Sequence, residues 1–340
     1  MLILVTAKFL ILLIFCFSNS FGQADTIKNM VFEGAGIRGV AYAGAVQELE
    51  KQGKLDFLEK VGGTSAGAIT ALAMALGYSG KEVEDLVSNT KFKQFNDGEF
   101  IFIGGITRMF RKYGWYKHKK FRKWLKQIIA AKTGDAEITF QAMHDSGYVD
   151  LYVTSTLLDL QRVEVLSFET YPKMKVVDAV QVSMSIPLYF ESLYINTEGA
   201  LVNPKKYKGE KHLAFDGGVI ANFPIFIFDS AYVEDGLTKR VNNPYTVGFR
   251  IDTDEQIEYD RKGKGIAPME ITSLKAYIGA LYNLSIESLN RQVLTTGDWE
   301  RTVSISSGDV GPKIRKLKPE EKEQLLLNGK NGVQNYFSKN

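Results

Sequence analysis

Ser65 sits in Gly63-Thr64-Ser65-Ala66-Gly67, the Gly-x-Ser-x-Gly spacing of a nucleophile elbow. Such an elbow holds a serine in a sharp strand-to-helix turn, with glycines where two backbones must pass close together. A second turn, Gly34-Ala35-Gly36-Ile37-Arg38-Gly39, has the Gly-x-Gly-x-x-Gly spacing and admits two chemistries. One is dinucleotide binding, with Glu59, twenty residues past Gly39, cast as the ribose acid. The other uses the same N–H groups at a helix start as an oxyanion hole, with Arg38 as a neighbouring cation. The third feature is Asp216-Gly217-Gly218, a carboxylate that ends the apolar run Leu213 to Phe215; alone it reads as a turn.

The scarcity of other reactive groups narrows the chemistry. Among 340 residues there is one cysteine, Cys16, and three histidines, His118, His144 and His212. A structural zinc site built from Cys and His is therefore disfavoured. All three histidines precede Asp216, so with Asp216 as the acid the Ser, Asp, His order of an α/β-hydrolase triad is not available. His212 acting as base in an unusual order is the histidine alternative that remains.

These residues must be positioned by the elements around them. Lys28 to Phe32 is a β-like run entering the first glycine turn, followed by helical character over Val40 to Gln52. Leu58 to Val61 leads into the serine turn and an alanine-rich helix ending near Gly77, apolar on nearly every face and so predicted to be buried. Two successive strand-turn-helix units predict an α/β fold with a mostly parallel sheet and helices on both faces. Further strands are expected at 151–155, 163–168, 213–215, 246–251 and 302–305. Further helices are expected at 118–131, 175–184, 270–296 and 318–338.

Taken together, the three motifs resemble the patatin-like phospholipase family of lipid acyl hydrolases. Asn222 and Pro224 after the aspartate, Ser183-Met184-Ser185-Ile186-Pro187 with Phe190 ahead of it, and Arg301-Thr302-Val303 with the helix from Pro319 are similar to family segments. Ala35 departs from the glycine common at that position. The resemblance implies a three-layer α/β/α fold and a Ser-Asp dyad without metal or organic cofactor. Ser65 would be the nucleophile and Asp216 the general base. The turn formed by Gly34, Ala35, Gly36, Ile37, Arg38 and Gly39 would supply the oxyanion hole, with N–H groups around Gly36 and Ile37 as donors. Gly63, Thr64, Ala66 and Gly67 would shape the elbow, and Gly217 and Gly218 the turn after the base. The implied reaction is hydrolysis of carboxylic esters in phospholipids or other glycerolipids through an acyl-enzyme; a catalytically silent lipid-binding protein of the same fold is the alternative.

Residues 1–24 have the order of a secretory signal, with Lys8, an apolar run from Phe9 to Phe17, and small residues Gly22 and Ala24. Cleavage after Ala24 predicts an exported chain; a retained membrane anchor is the other reading. The rest, 25–340, reads as one catalytic domain, with the motifs in 29–229 and a C-terminal extension over 230–340. A net charge of +3 from 42 basic and 39 acidic residues gives no general pull toward nucleic acid. Locally, residues 108–126 hold nine Lys or Arg and no acid, interleaved with aromatics. That pattern suits contact with a membrane surface. Phe121, Trp124, Leu125 and Ile128 nevertheless share the spacing of a core-facing helix stripe.

Overall fold

The computed structural model of the protein describes residues 26–90, 92–98, 101–311 and 315–338. The predicted signal segment, and Cys16 within it, lies outside the described residues. Among those described, the strands are β1 (Asn29–Phe32), β2 (Lys60–Gly63), β3 (Gly114–Tyr116), β4 (Asp150–Leu157), β5 (Arg162–Leu166), β6 (Leu188–Phe190), β7 (Leu193–Asn196), β8 (Lys211–Asp216), β9 (Ser230–Glu234), β10 (Leu237–Val241), β11 (Thr246–Asp252) and β12 (Thr302–Ser306). The helices are α1 (Val40–Lys51), α2 (Ala66–Ala75), α3 (Gly80–Asn89), α4 (Ile101–Lys112), α5 (Lys119–Thr133), α6 (Phe140–Asp145), α7 (Val176–Ser183), α8 (Asp254–Arg261), α9 (Leu274–Arg291), α10 (Thr296–Glu300) and α11 (Pro319–Phe337).

The main sheet runs β12-β11-β1-β2-β4-β8-β7, with β5 paired to β4. Its first five strands are parallel, and β8, β7 and β5 are antiparallel to their neighbours. The architecture is the expected three-layer, mostly parallel α/β/α. One face carries the main core, where Phe32 stacks on Phe249 and meets the edge of Tyr42 from α1. Helices α1, α2, α7 and α11 belong to that layer. The other face is covered by residues 223–228 and the last turns of α9: Phe223 and Ile225 lie against Gly248 of β11, and Ile227 against Gly62 of β2.

Register decides where the motifs end up. Phe32 pairs with Gly63, so β1 and β2 finish side by side and release their two turns at the same edge. Asp216 pairs with Ser155, which brings the end of β8 to that edge from across β4. The C-terminal region is built into the same sheet, since β11 lies between β1 and β12. Arg301 at the start of β12 also grips Asp229 with both Nη atoms, at 2.7 and 2.6 Å.

Several expectations shift. The second strand is Lys60–Gly63 rather than 58–61, because its two glycines continue the strand where helix and loop press against it. The helix expected over 270–296 is shorter, α9 over Leu274–Arg291, capped by Ser273, whose Oγ accepts from Ala276 N–H, and the separate α10 begins only at Thr296. The hairpin β9–β10, turning at Asp235 and Gly236, was not anticipated.

Candidate active site

The turn after β2 places Ser65 at φ 54° and ψ −119°, a left-handed conformation that a non-glycine residue adopts only when its surroundings enforce it. Its neighbours supply that enforcement. A Cβ on Gly63 would fall 2.5 Å from the Gly67 carbonyl carbon, and one on Gly67 would fall 2.3 Å from Phe32 O. Only glycine at both positions lets the helix start cross the strand ends this closely. Thr64 Oγ1 donates to Ala221 O at 2.8 Å and pairs with Thr154, and Ser65 N–H donates to Ser183 Oγ at 2.9 Å. Ser65 therefore stands at the N-terminus of α2, where the helix dipole favours negative charge.

Asp216 arrives from β8 and is buried, as Ser65 is. Its Oδ1 accepts from Gly218 N–H at 2.7 Å, its own N–H donates to Ser185 O at 3.1 Å, and its carbonyl accepts from Thr156 Oγ1 at 3.2 Å. Burial pushes the carboxyl up to about 6, against the opposing hydrogen bonds from the Ser65 side chain and Gly218. Ser65 Oγ also lies 3.5 Å from Met184 Sδ, a soft and weak acceptor. The thioether is a poor acceptor for this hydroxyl, and the Asp216 carboxylate, which the serine side chain helps hold down, is the stronger one nearby.

The turn after β1 lies against this pair: a Cβ on Gly34 would fall 3.3 Å from Ser65 Cβ. Gly36 to Gly39 form a 3₁₀ turn leading into α1. Not every N–H in the turn is open to a ligand. Gly34 N–H donates to Asn222 O at 3.0 Å and Arg38 N–H to Ala35 O at 3.2 Å, which takes two of the six expected oxyanion residues out of play and leaves Gly36 and Ile37, at the start of the turn, among the other four. Arg38 Nε folds back onto Ala35 O at 3.2 Å, so this side chain braces its own turn. Asn222 clamps the turn from the far side, its Nδ2 donating to Gly34 O at 3.0 Å and to Glu33 Oε1 at 3.2 Å. Glu33 is buried, with Oε2 accepting from Ile251 N–H, and burial pushes its carboxyl up to about 8 against the pull of Arg250.

Two other readings of the sequence do not fit this geometry. Glu59 precedes β2 and is paired with Lys28 at 2.7 Å, at the opposite end of the parallel strands from the Gly34 to Gly39 turn, so it cannot serve a ribose at that turn. His212 lies four residues up β8 from Asp216, roughly 13 Å along the strand, with Nδ1 2.9 Å from Asp159. His118 instead props the segment ahead of β8: its Nε2 is 2.7 Å from Glu191 O and 3.4 Å from Ser185 Oγ, its ring stacks on Phe190, and burial lowers its pKa. His144 pairs with Asp150 at the opposite end of the sheet. Among the described residues no group of three His, Cys, Asp or Glu is placed to hold a metal ion.

The basic aromatic stretch divides in two. Phe121, Leu125 and Ile128 are buried and Trp124 packs on Phe95, so α5 turns its aromatic face to the core. Several of the cations on it are paired, Arg122 with Asp178 and Lys126 with Glu137. Phe110 and Tyr113 remain exposed, beside exposed Leu188, whose strand pairs with Gly114.

Ser183, Met184, Thr154 and Asn290 were not expected as individual contributors to the site. Asn290, buried on α9, accepts from Asn222 N–H at 2.5 Å and donates to Gly218 O at 3.2 Å.

Comparison with known proteins bears on the family and the fold. The sequence model for patatin-like phospholipases matches residues 30–229. The chain is 31% identical over 206 residues to the uncharacterized protein YqhO of Bacillus subtilis, covering 58% of this chain and 65% of that protein. It is 25% identical over 206 residues to the probable lipid hydrolase 463L of Invertebrate iridescent virus 6, covering 59% and 62%. The matched region thus spans a little under two thirds of these relatives. In fold, the chain is similar to VipD from Legionella pneumophila, with a TM-score of 0.54 at 16% identity over 92% of this chain and 67% of that one. It is also similar to the ExoU-SpcU complex of Pseudomonas aeruginosa, with a TM-score of 0.50 at 17% identity over 92% and 51%.

Proposed function

Because the chain belongs to the patatin-like phospholipase family, we propose that it hydrolyses carboxylic esters of membrane glycerolipids, with Ser65 as nucleophile and Asp216 as general base. The observation that carries this reading is the strained Ser65 facing a buried carboxylate whose pKa is raised to about 6. A carboxylate poised near neutrality accepts a proton more readily than one at its ordinary value while remaining ionised at pH 7. Asp216 takes the hydroxyl proton as Ser65 Oγ attacks the acyl carbonyl. The resulting oxyanion is held by the N–H groups of Gly36 and Ile37 and by the N-terminal field of α2. The tetrahedral intermediate collapses as Asp216 returns its proton to the departing alcohol oxygen, leaving an acyl ester on Ser65. Water then attacks that ester as Asp216 takes its proton, and when the acyl–Oγ bond breaks Asp216 returns that proton to Ser65 Oγ, so free fatty acid leaves and the starting site is restored.

The probable lipid hydrolase among the relatives supports the substrate class. We assign contact with the lipid surface within 108–126 to Phe110 and Tyr113, with exposed Arg111 and Lys112 alongside, since the later aromatics are committed to the core. Export through residues 1–24 is likewise part of this proposal.

The test is release of free fatty acid from a mixture of phosphatidylcholine, phosphatidylglycerol and triacylglycerol, followed as a function of pH. The base must be ionised, so activity is expected to be lost as pH falls through about 6 and to level off above it. Full activity well below that pH would exclude Asp216 as the base. Failure to release any fatty acid would exclude the hydrolase reading itself.

A further inference from the structure

Helix α9 is turned inside out relative to an ordinary surface helix. Polar side chains of its last turns face the protein: Glu287 meets Arg250 at 2.9 Å, Arg291 pairs with Asp260, and Asn290 is buried against Gly218 and Asn222. Its large apolar side chains face outward, with Leu274, Tyr277, Ile278, Leu281 and Leu284 each more than half exposed. At about 100° per residue these five fall within an arc of about 120°. A soluble protein's surface helix has the reverse arrangement, and an exposed apolar stripe of this extent marks a contact surface.

Charge and position indicate what covers the stripe. The loop leading to the helix exposes Arg261, Lys262 and Lys264, and between residues 261 and 286 four basic residues face a single acid, Glu270. Exposed Met269 and Ile271 extend the apolar surface toward those cations. At its other end, Asn290 ties the helix to the turn that carries Asp216. An apolar helix stripe fringed by cations matches the boundary between anionic headgroups and acyl chains.

We propose that α9 is a lipid-docking element: its stripe lies in the headgroup boundary of an anionic membrane, its basic approach meets the headgroups, and Asn290 holds the docked helix against the Asp216 turn. The choice of lipid over a second copy of the chain rests on reading the Ser65 site as a lipid hydrolase, because a docked α9 sets that site at the substrate's own surface.

The test places a polarity-sensitive fluorophore on the full chain through Ile278→Cys, in a Cys16→Ser background, and adds vesicles of mixed phosphatidylcholine and phosphatidylglycerol. Emission is expected to shift to the blue and quenching by iodide to fall. This readout reports the helix itself and does not depend on hydrolysis, so failure of the docking proposal and failure of the hydrolase reading remain distinguishable. An unchanged spectrum overturns docking, and so does a blue shift that needs no vesicles and grows with protein concentration, which would assign the stripe to a second copy. In parallel, Leu274→Ser, Ile278→Ser and Leu281→Ser combined are expected to lower the ratio of vesicle hydrolysis to soluble-ester hydrolysis by about tenfold or more. An unchanged ratio would also overturn the proposal.

Discussion

Ser65→Ala is expected to lower turnover of a soluble chromogenic acyl ester by roughly 10⁴-fold or more, since no other step in the proposed path forms the acyl bond. The folded chain should survive the change. Ser65 anchors its own turn through its backbone N–H on Ser183 Oγ, and alanine keeps that bond. What alanine removes is the hydroxyl that lies 3.5 Å from Met184 Sδ and helps hold the Asp216 carboxyl down. The Asp216 carboxyl should then rise further, because the hydroxyl is one of the groups opposing its burial. Steady-state kinetics and a thermal melt on the same preparation check both halves.

Asp216→Asn is expected to move activity and stability in opposite directions. Turnover should fall by about 10² to 10⁴, the usual contribution of a positioned general base. The side chain keeps its shape, and its amide oxygen can still accept from Gly218 N–H, which the carboxylate holds at 2.7 Å. Stability follows the sign of the pKa shift. The folded chain holds this carboxyl at about 6, above its ordinary value of 3.8, so the native state binds more protons than the unfolded one between those values. Stability is therefore lost as pH rises through that window, and above it the buried charge carries its full penalty. A neutral asparagine escapes the penalty, on the order of 3 kcal/mol. Above pH 7 the variant should melt at a higher temperature than the native chain, and the difference should shrink as pH falls toward 4. A buried group that destabilises the fold while supporting turnover is the pattern of stability exchanged for function.

The parts of the site legible in the sequence are those whose reason is local. Gly63 and Gly67 flank Ser65 because two backbones cross there, and the strand and helix on either side could be read from apolar runs and an alanine-rich segment. Asp216 was recognisable only in company with the other two motifs, since a carboxylate before two glycines is by itself a turn. The remainder depends on distance in sequence. Asn290 acts on Gly218 and Asn222 across 72 and 68 residues, and nothing around it in the chain marks it. Ser183 reaches Ser65 across 118 residues. The glycine turn after β1 is uniform as six residues of sequence, but only folding reveals that Asn222 O and Ala35 O already engage two of its N–H groups.

Secondary structure was missed for similar reasons. Helix α3 carries a local start signal, the Ser79 to Glu82 capping box, but too short an apolar pattern after it to stand out. The hairpin β9–β10 exposes nearly all of its residues and buries no apolar face, so its strands lack the alternation that would reveal them. In α9 the helical character was evident, but its orientation was not. Periodicity locates an apolar stripe without saying whether it faces the protein, and the inward pull comes from Arg250, Asp260 and Gly218, all remote in sequence.

Whether Ser65 is the nucleophile is decided most directly by treating the full chain with an alkyl fluorophosphonate and locating the adduct by peptide mass spectrometry. Attack by Ser65 Oγ on phosphorus expels fluoride and leaves a stable phosphonyl ester, the counterpart of the acyl-enzyme. The expected result is a single adduct on the peptide containing Ser65, absent in Ser65→Ala and formed more slowly in Asp216→Asn. An unmodified Ser65 in a preparation that hydrolyses lipid, or an adduct on a different residue, would contradict the dyad.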